Sequence, residues 1–167
     1  MVKVQIKKLF EDVVVPQYAK EGDAGMDVRA YLSKDFMDKE YGNPLNLPSL
    51  YYSDTSVFIQ PGERKIIPTG IKVAIPMGYE IQVRPRSGMA VKKGVTVLNS
   101  PGTIDAGYRG ELGVILHNTT MATQQIEHGE RIAQLVLNKV PTIEWEEVEE
   151  LSETSRGEGG FGSTGNS

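Results

Sequence analysis

The C-terminal stretch RGEGGFGSTGNS (156–167) places one arginine and one phenylalanine among glycines and hydroxyl side chains. A guanidinium can grip phosphate, backbone N–H groups and hydroxyls can add hydrogen bonds, and a ring can stack on a base. The glycines also match the G-x-G-x-x-G spacing of dinucleotide-binding turns, but the flanking strand and helix that such a turn needs are missing, and Ser163 stands where a P-loop has lysine. The stretch therefore predicts a lid over a nucleotide, with a flexible linker as the alternative.

Two further stretches carry polar groups on tight turns. Asp105 and Tyr108 lie in NSPGTIDAGYRGEL (99–112), where glycine and proline bend the backbone around a carboxylate and a phenol. A lone aspartate in a hairpin is more often a turn-former than a catalyst. The stretch PRSGMA (85–90) puts a cation and a hydroxyl on a short loop, which taken alone is typical of a strand-ending turn with a solvated arginine.

The stretches AGMDVRA (24–30) and GERIAQLVL (129–137) are weaker signals. The aspartate of the first fits a structural turn or a buried ion pair as well as a functional group. The glutamine of the second fits a solvent-facing position on a strand. Neither stretch predicts chemistry by itself.

Strands must position these stretches, because alternation of apolar and polar residues recurs along the chain and each run ends in Gly or Pro turn chemistry. The apolar faces of these runs are Val2, Val4 and Ile6; Ile71, Val73 and Ile75; Tyr79, Ile81 and Val83; Leu112, Val114 and Leu116; and Ala133, Leu135 and Leu137. Many short strands predict an all-β sandwich or barrel. A Glu-rich run with Trp145, Val148 and Leu151 is the only helix candidate, and a strand after Pro141 is equally plausible.

Two segments depart from the strand pattern. Residues 33–56 have no clear period and contain several aromatics, which predicts an inserted loop or hairpin. Residues 152–167 lack the apolar content to fold alone and predict a mobile C-terminal arm. The expected organisation is one β domain over residues 1–151, followed by this arm.

Composition narrows the classes of partner. The net charge of −4 argues against a protein that coats nucleic acid, since such proteins need clustered cations. No apolar run reaches the roughly 18 residues of a membrane span, and the N-terminus is not a targeting peptide. The absence of cysteine excludes disulfides and thiol nucleophiles. We therefore expect a cytoplasmic protein without nucleic-acid or membrane partners.

Taken together and in this order, AGMDVRA, PRSGMA, GTIDAGYRG, GERIAQ and RGEGGFGSTG closely resemble the five motifs of the homotrimeric dUTPase family. The resemblance extends from about residue 2 to residue 165. It implies a distorted jelly-roll or β-clip-like barrel, three chains around a threefold axis, and active sites at subunit interfaces. It further implies hydrolysis of dUTP to dUMP and pyrophosphate with Mg²⁺. A phage or bacterial member is expected, which for a phage protein means the host cytoplasm.

The resemblance assigns Asp105 as the carboxylate that orients and activates the attacking water. An ionised aspartate can accept a proton from water, but it is a weak base, so the electrophile must be strongly polarised. Magnesium on the triphosphate oxygens would supply that polarisation, and it needs no dense carboxylate cage. Asp27 resembles the motif-one aspartate and is expected to hold Mg²⁺ through a water molecule.

The resemblance also assigns the substrate contacts. The phosphate chain is expected to be bound by Arg86, Ser87, Gly88 and Gln134, and its γ-phosphate by Arg156, Ser163 and Thr164 of the arm. Thr103, Ile104 and Gly162 are expected to touch substrate as well. Asn99 and the backbone of Gly113 and Ile115 would read uracil, Tyr108 would pack on the deoxyribose, and Phe161 would stack on the base.

Two rival interpretations remain. A dCTP deaminase shares the fold, but members of that class carry a glutamate on the strand after the aspartate motif, where this chain has Ile115. A trimer that contacts a regulatory protein in a nucleotide-gated manner is possible as an added role. It predicts that residues 33–56 bind a protein partner.

Overall fold

A computed structural model describes residues 1–32, 52–53 and 56–160 of the chain. Over these ranges the fold is all-β apart from one short helix. The elements are β1 (Gln5–Lys8), β2 (Met26–Arg29), β3 (Tyr52–Ser53), β4 (Ser56–Ile59), β5 (Arg64–Ala74), β6 (Tyr79–Arg84), α1 (Ser87–Lys93), β7 (Val95–Val97), β8 (Gly102–Ile104), β9 (Glu111–Asn118), β10 (Gln124–Glu127) and β11 (Arg131–Lys139).

The strands form three antiparallel sheets, with strand orders β1-β5-β9-β7, β10-β4-β3 and β2-β11-β6-β8. The first and third sheets bury one face each, because apolar residues alternate with polar ones along their strands. On β9, for example, Leu112, Val114 and Leu116 are each at most 1% exposed. The predicted faces on β5, β6, β9 and β11 are thus confirmed.

The N-terminal strand is confirmed, but its predicted apolar face is not buried within one chain. Val2 and Ile6 are 40% and 41% exposed. β1 is an edge strand paired only with β5 in the described sheet, so one side of it has no neighbour. With Tyr18 and other apolar side chains, this face lines an open groove of about 280 Å³.

The helix prediction was wrong in position. Residues 141–151 form neither helix nor strand, and Trp145 is 88% exposed. The observed helix, α1, lies in the stretch predicted as a short loop. It has a single buried side chain, Met89, so it leaves no helical period in the sequence. Gly94 ends it in the left-handed conformation with φ of 60°.

The insertion is described only at its C-terminal end. There Tyr52 and Ser53 pair with Val57 and Ser56, which is the hairpin alternative for this part of the segment. The rest of the predicted insertion lies outside the described residues. Among the described residues, no helix is long and apolar enough to cross a membrane.

Candidate active site

Three adjacent strands of the third sheet, β2, β11 and β6, bring polar side chains into one row. Gln134 on β11 is the register partner of Asp27 on β2 and of Arg84 on β6. Side chains of laterally aligned residues in a sheet lie on the same face, so Asp27 and Gln134 are direct neighbours. The amide Nε2 of Gln134 donates to Asp27 Oδ1 at 3.3 Å.

Arg86 reaches this row from the turn after β6. Its backbone is extended, with φ of −94° and ψ of 128°, and it forms the N-cap position of α1. Its Nε donates to Asp27 Oδ1 at 2.9 Å, and its Nη1 donates to the carbonyl of Arg131 at 3.0 Å. Arg131 Nη1 in turn donates to Asp27 Oδ2 at 3.1 Å. Asp27 therefore bridges two guanidinium groups, in ion pairs that are partly exposed and not buried, with 21% exposure of the Asp27 side chain.

This arginine–carboxylate cluster (Asp27, Arg86, Arg131 and Gln134) borders a cavity of about 590 Å³. Three members of the cluster line the cavity, together with Arg29 and residues of the 14–25 loop. Arg86 is the member that does not line the cavity, and among the described residues the charged side chains that do are two aspartates and two arginines, Asp23, Asp27, Arg29 and Arg131. The cluster itself has two guanidinium groups against one carboxylate, so its own excess positive charge favours an anionic ligand beside Arg86. Ser87 and Gly88 are exposed beside Arg86 at the start of α1.

The second group of predicted site residues lies on the turn that connects β8 in the third sheet to β9 in the first. The predicted hairpin is wrong, because β8 pairs with β6 and β9 with β5 and β7. Asp105 is exposed just after β8, and the turn is closed by the Tyr108 N–H donating to the Asp105 carbonyl at 3.1 Å. The Tyr108 hydroxyl donates to the Glu111 carbonyl at 2.8 Å, which folds the ring back on this β8–β9 turn. This ring position requires Gly110, because a Cβ there would lie 2.3 Å from the Tyr108 hydroxyl.

The predicted base-reading residues lie on the strands and loops beside the same β8–β9 turn. Leu98 donates its N–H to the Ile115 carbonyl at 2.9 Å, so the following residue, Asn99, lies beside β9. The amide Nδ2 of Asn99 would be 3.0 Å from a Cβ on Gly102, so glycine leaves room for it. On β9 the outward position of Gly113 is filled instead by Ile66, whose Cγ2 would be 2.7 Å from an added Cβ. Thr103 is exposed and Ile104 half-buried on β8.

The two groups lie at different ends of β6. Ile104 is the partner of Ile81, so Asp105 follows beyond that level, whereas Arg86 follows Arg84 at the opposite end. If the register of β6 and β8 is continued by one residue, Asp105 lies beside Glu80. Arg84 is four residues further along β6, which is a distance of about 13 Å along the strand. One chain therefore does not bring Asp105 and Arg86 together in the arrangement that a single substrate phosphate would need.

The arm is described only in part. Arg156 donates from Nε to the Gly159 carbonyl at 2.9 Å within an exposed turn, and no described contact joins it to either group. Phe161, Gly162, Ser163 and Thr164 lie outside the described residues. Among the described residues, no group of three or more His, Asp or Glu side chains could hold a metal ion.

Arg131 was not among the predicted site residues, although it lies in the GERIAQ stretch. Its signal there is a single charge at the start of a strand, which usually faces solvent. Only the structure shows that both its side chain and its carbonyl contact the cluster.

Comparison with known proteins identifies the class to which this fold and site belong. The sequence model of the dUTPase family matches residues 50–165. The deoxyuridine 5'-triphosphate nucleotidohydrolase of Fusobacterium nucleatum is 51% identical over 166 residues, which is 99% of both chains. That of Clostridium novyi is 45% identical and covers 98% of this chain and 99% of its own. The chain belongs to the dUTPase family.

Solved structures agree with this assignment. The Staphylococcus bacteriophage 80alpha dUTPase with dUPNHPP is 29% identical, with a TM-score of 0.77 and 98% coverage of both chains. The dUTPase from phage phi11 of S. aureus, whose structure visualises a species-specific insert, is 25% identical, with a TM-score of 0.70, over 91% of this chain and 99% of its own. The fold is the β jelly roll of these enzymes, and the chain is a dUTP diphosphatase.

Proposed function

We propose that the enzyme cleaves dUTP between the α- and β-phosphates by attack of a water molecule that Asp105 activates, in sites shared between three copies of the chain. The observation that carries the proposal is the separation, on one chain, of the arginine–carboxylate cluster from the β8–β9 turn that bears Asp105. A second copy can place its β8–β9 turn against the cluster, which one copy cannot do for itself.

Exposed apolar surface supports assembly. Ile143, Trp145 and Leu151 after the last strand are 69–88% exposed, and the groove beside β1 is apolar and open. Large apolar side chains exposed in such number are typical of interaction surfaces in soluble proteins. We expect a trimer with three times the 18.4 kDa mass of the chain.

The cluster would bind the phosphate chain. Arg86 uses two N–H groups on Asp27 and Arg131, and a guanidinium has five, so donors remain for phosphate oxygens. Gln134 and the hydroxyl of Ser87 lie beside it for further hydrogen bonds. Arg156, Ser163 and Thr164 would close over the γ-phosphate as the arm folds down, and closure would exclude water.

The donor set fits Mg²⁺ held mainly by substrate phosphates. Asp27 is the only carboxylate of the cluster, and both of its oxygens already accept hydrogen bonds from arginine. A contact through water is therefore the role that remains for Asp27 toward a cation. A dUTPase of phage phi11, 26% identical to this chain, coordinates a structural Mg(II) ion. When bound, Mg²⁺ would neutralise charge that develops on the phosphate oxygens.

Asp105 would act on water. It is exposed at the start of the β8–β9 turn and has no ion pair among the described residues, so its carboxylate can accept the proton of an attacking water. The water oxygen bonds to the α-phosphorus, the bond to the bridging oxygen breaks, and pyrophosphate leaves. Positioning of the water in line with the leaving group would supply much of the rate.

The β8–β9 turn and the adjoining part of β9 would also select the nucleoside. The Asn99 amide and the backbone near Gly113 and Ile115 offer donors and acceptors for the uracil edge, which cytosine would leave unpaired. Tyr108 would pack on deoxyribose and exclude a 2'-hydroxyl, and Phe161 would stack on the base. A regulatory role for residues 33–56 and a cytoplasmic location stay predictions.

Replacing Asp105 by asparagine tests the chemical step. Asp105→Asn removes the proton acceptor and keeps the shape, so hydrolysis of dUTP should fall at least about 100-fold while binding of a non-hydrolysable analogue is retained. Asp12→Asn, a carboxylate-to-amide change away from both groups, should keep full activity. Pyrophosphate release and calorimetric binding are the measurements. Turnover by Asp105→Asn at the wild-type rate would remove this residue from the mechanism.

A further inference from the structure

We propose that Arg131 is a positioning residue of the phosphate site: it joins Asp27 and Arg86 into one rigid group, so that the Arg86 guanidinium meets the triphosphate in a fixed orientation. Arg131 does this with two different parts, its guanidinium and its main-chain carbonyl. The inference rests on the proposed phosphate-binding role of Arg86.

A bulge in β11 makes the main-chain contact possible. Arg131 pairs with Arg29 on β2, but Ala133 already pairs with the next residue, Val28, so Ile132 is an extra residue on β11. A bulge interrupts the ladder and redirects the groups beside it. Ile132 is 1% exposed and fixes the bulge in the core. The Arg131 carbonyl accepts the hydrogen bond from Arg86 Nη1 at 3.0 Å.

The contacts of the Arg131 side chain complete an arrangement of Arg131, Asp27 and Arg86 that is called the clamp below. The two oxygens of Asp27 are divided between the arginines, with Oδ1 toward Arg86 at 2.9 Å and Oδ2 toward Arg131 at 3.1 Å. The side chains of Asp27 and Arg86 are only 21% and 22% exposed, so their attraction is screened less than that of a surface pair. With both oxygens engaged, the carboxylate cannot turn without breaking a charged hydrogen bond.

Fixing the Arg86 plane matters because a guanidinium recognises phosphate through two parallel N–H bonds. Without the Arg131 side chain, Asp27 Oδ2 loses its partner and the carboxylate and Arg86 gain alternative rotamers. The conformational entropy of these two side chains is then lost when substrate binds, and this loss weakens binding of the triphosphate. Arg131 itself is 52% exposed, so its removal should leave the fold intact.

A double-mutant cycle tests the proposal. Binding of a non-hydrolysable dUTP analogue and of dUMP is measured for the trimeric wild type, Arg131→Ala, Asp27→Asn and the double variant, with Arg64→Ala on the other sheet as the control. We expect Arg131→Ala to bind the triphosphate analogue roughly tenfold more weakly, within the range of coupling between contacting groups. Binding of dUMP and the thermal midpoint should be unchanged, and Arg131→Lys should recover part of the loss.

Comparing the effect of Arg131→Ala in the wild type with its effect in the Asp27→Asn variant distinguishes a positioning role from direct contact with phosphate. If Arg131 acts through Asp27, the effect of Arg131→Ala should largely vanish once Asp27 is asparagine. An equal loss in both backgrounds would mean that Arg131 touches phosphate directly, and wild-type binding by Arg131→Ala would mean that the clamp has no role. Either result overturns the proposal.

Arg86→Ala separates this inference from the proposed function. Unchanged binding of the analogue by Arg86→Ala would refute the phosphate site itself. A large loss for Arg86→Ala with none for Arg131→Ala would refute only the positioning role.

Discussion

At the residue scale, Gly110 acts by having no side chain. The Tyr108 ring lies over it, held by the hydrogen bond from its hydroxyl to the Glu111 carbonyl. An added Cβ would lie 2.3 to 2.9 Å from three atoms of the tyrosine, closer than any real contact. The glycine therefore sets where the phenol stands, and so the space left for a sugar.

Gly110→Ala should displace Tyr108 and lower kcat/KM for dUTP by roughly tenfold or more, since misplacement by about 1 Å can cost this much. Gly107→Ala is the matched control, because a Cβ at Gly107 meets nothing within 4 Å. Steady-state kinetics on dUTP and UTP compare the two variants. Equal activities for both alanine variants would show that the ring position is not critical.

Tyr31 and Asp12 form a hydrogen-bonded pair away from both groups of site residues. Tyr31 is buried, its ring stacks on Phe10 at 4.7 Å, and its hydroxyl donates to Asp12 Oδ1 at 2.6 Å. This hydrogen bond lowers the pKa of Asp12 below its ordinary value of 3.8. Because the folded-state pKa is lowered, the stabilisation is present above pH 3.8 and is lost as the pH falls through the folded-state value.

Tyr31→Phe should therefore lower the free energy of unfolding at neutral pH, and the difference from wild type should shrink well below pH 3.8. Urea denaturation at about pH 7 and about pH 3 measures both differences. A difference that stays constant with pH would mean that the hydroxyl stabilises the fold without involving the charge of Asp12.

At the element scale, Asn118 joins β9 to β4 and to the turn that leads into β10. Its Nδ2 donates to the carbonyls of Ile59 and Ala122 at 2.9 and 2.8 Å, and its Oδ1 accepts from the N–H and hydroxyl of Thr120. The side chain is fully buried. A satisfied buried amide of this kind fixes the relative position of the elements that it joins.

Asn118→Ala should cost about 3 kcal/mol of unfolding free energy, because it removes the amide donor to the carbonyl of buried Ile59 and the acceptor of two hydrogen bonds from Thr120. Asn138→Ala is the control, since the buried Nδ2 of Asn138 has no hydrogen-bond partner among the described residues. It should cost clearly less in the same urea experiment. A smaller loss for Asn118→Ala than for Asn138→Ala would contradict the bridging role.

At the scale of the whole molecule, the two groups of site residues lie at opposite ends of β6, and the proposed shared site requires that another copy complete each one. Inactive variants from different groups should therefore complement each other. Co-assembly of Arg86→Ala with Asp105→Asn would form some sites that contain both native residues, and dUTP hydrolysis should recover to a fraction of wild type.

Mixing Asp27→Asn with Arg86→Ala provides the control, because both changes lie in the same cluster and no mixed site is intact. Activity is measured after joint refolding, and light scattering checks the trimer. If Arg86→Ala and Asp105→Asn together stay as inactive as each alone, the site is not shared between chains.

The local sequence pattern was enough to predict several strands of this protein, their buried faces and its family. Alternation along β9 and β11 predicts strands and their buried faces, because a strand exposes its period directly in the sequence. The order of the five motifs predicted the family, which the comparisons confirmed. The sequence did not predict helix α1, because Met89 is its only buried side chain and one buried residue produces no helical periodicity.

Tertiary structure alone decided how the polar residues pair. Asp27 and Arg131 are separated by 104 residues, and only the register of β2 against β11, with its bulge, brings them within hydrogen-bonding distance. The sequence determined which chemical groups are present and on which strands they lie. Which groups meet, and that Asp105 and Arg86 are held apart in one chain, follows from strand order and register, which are set by long-range pairing that no local pattern encodes.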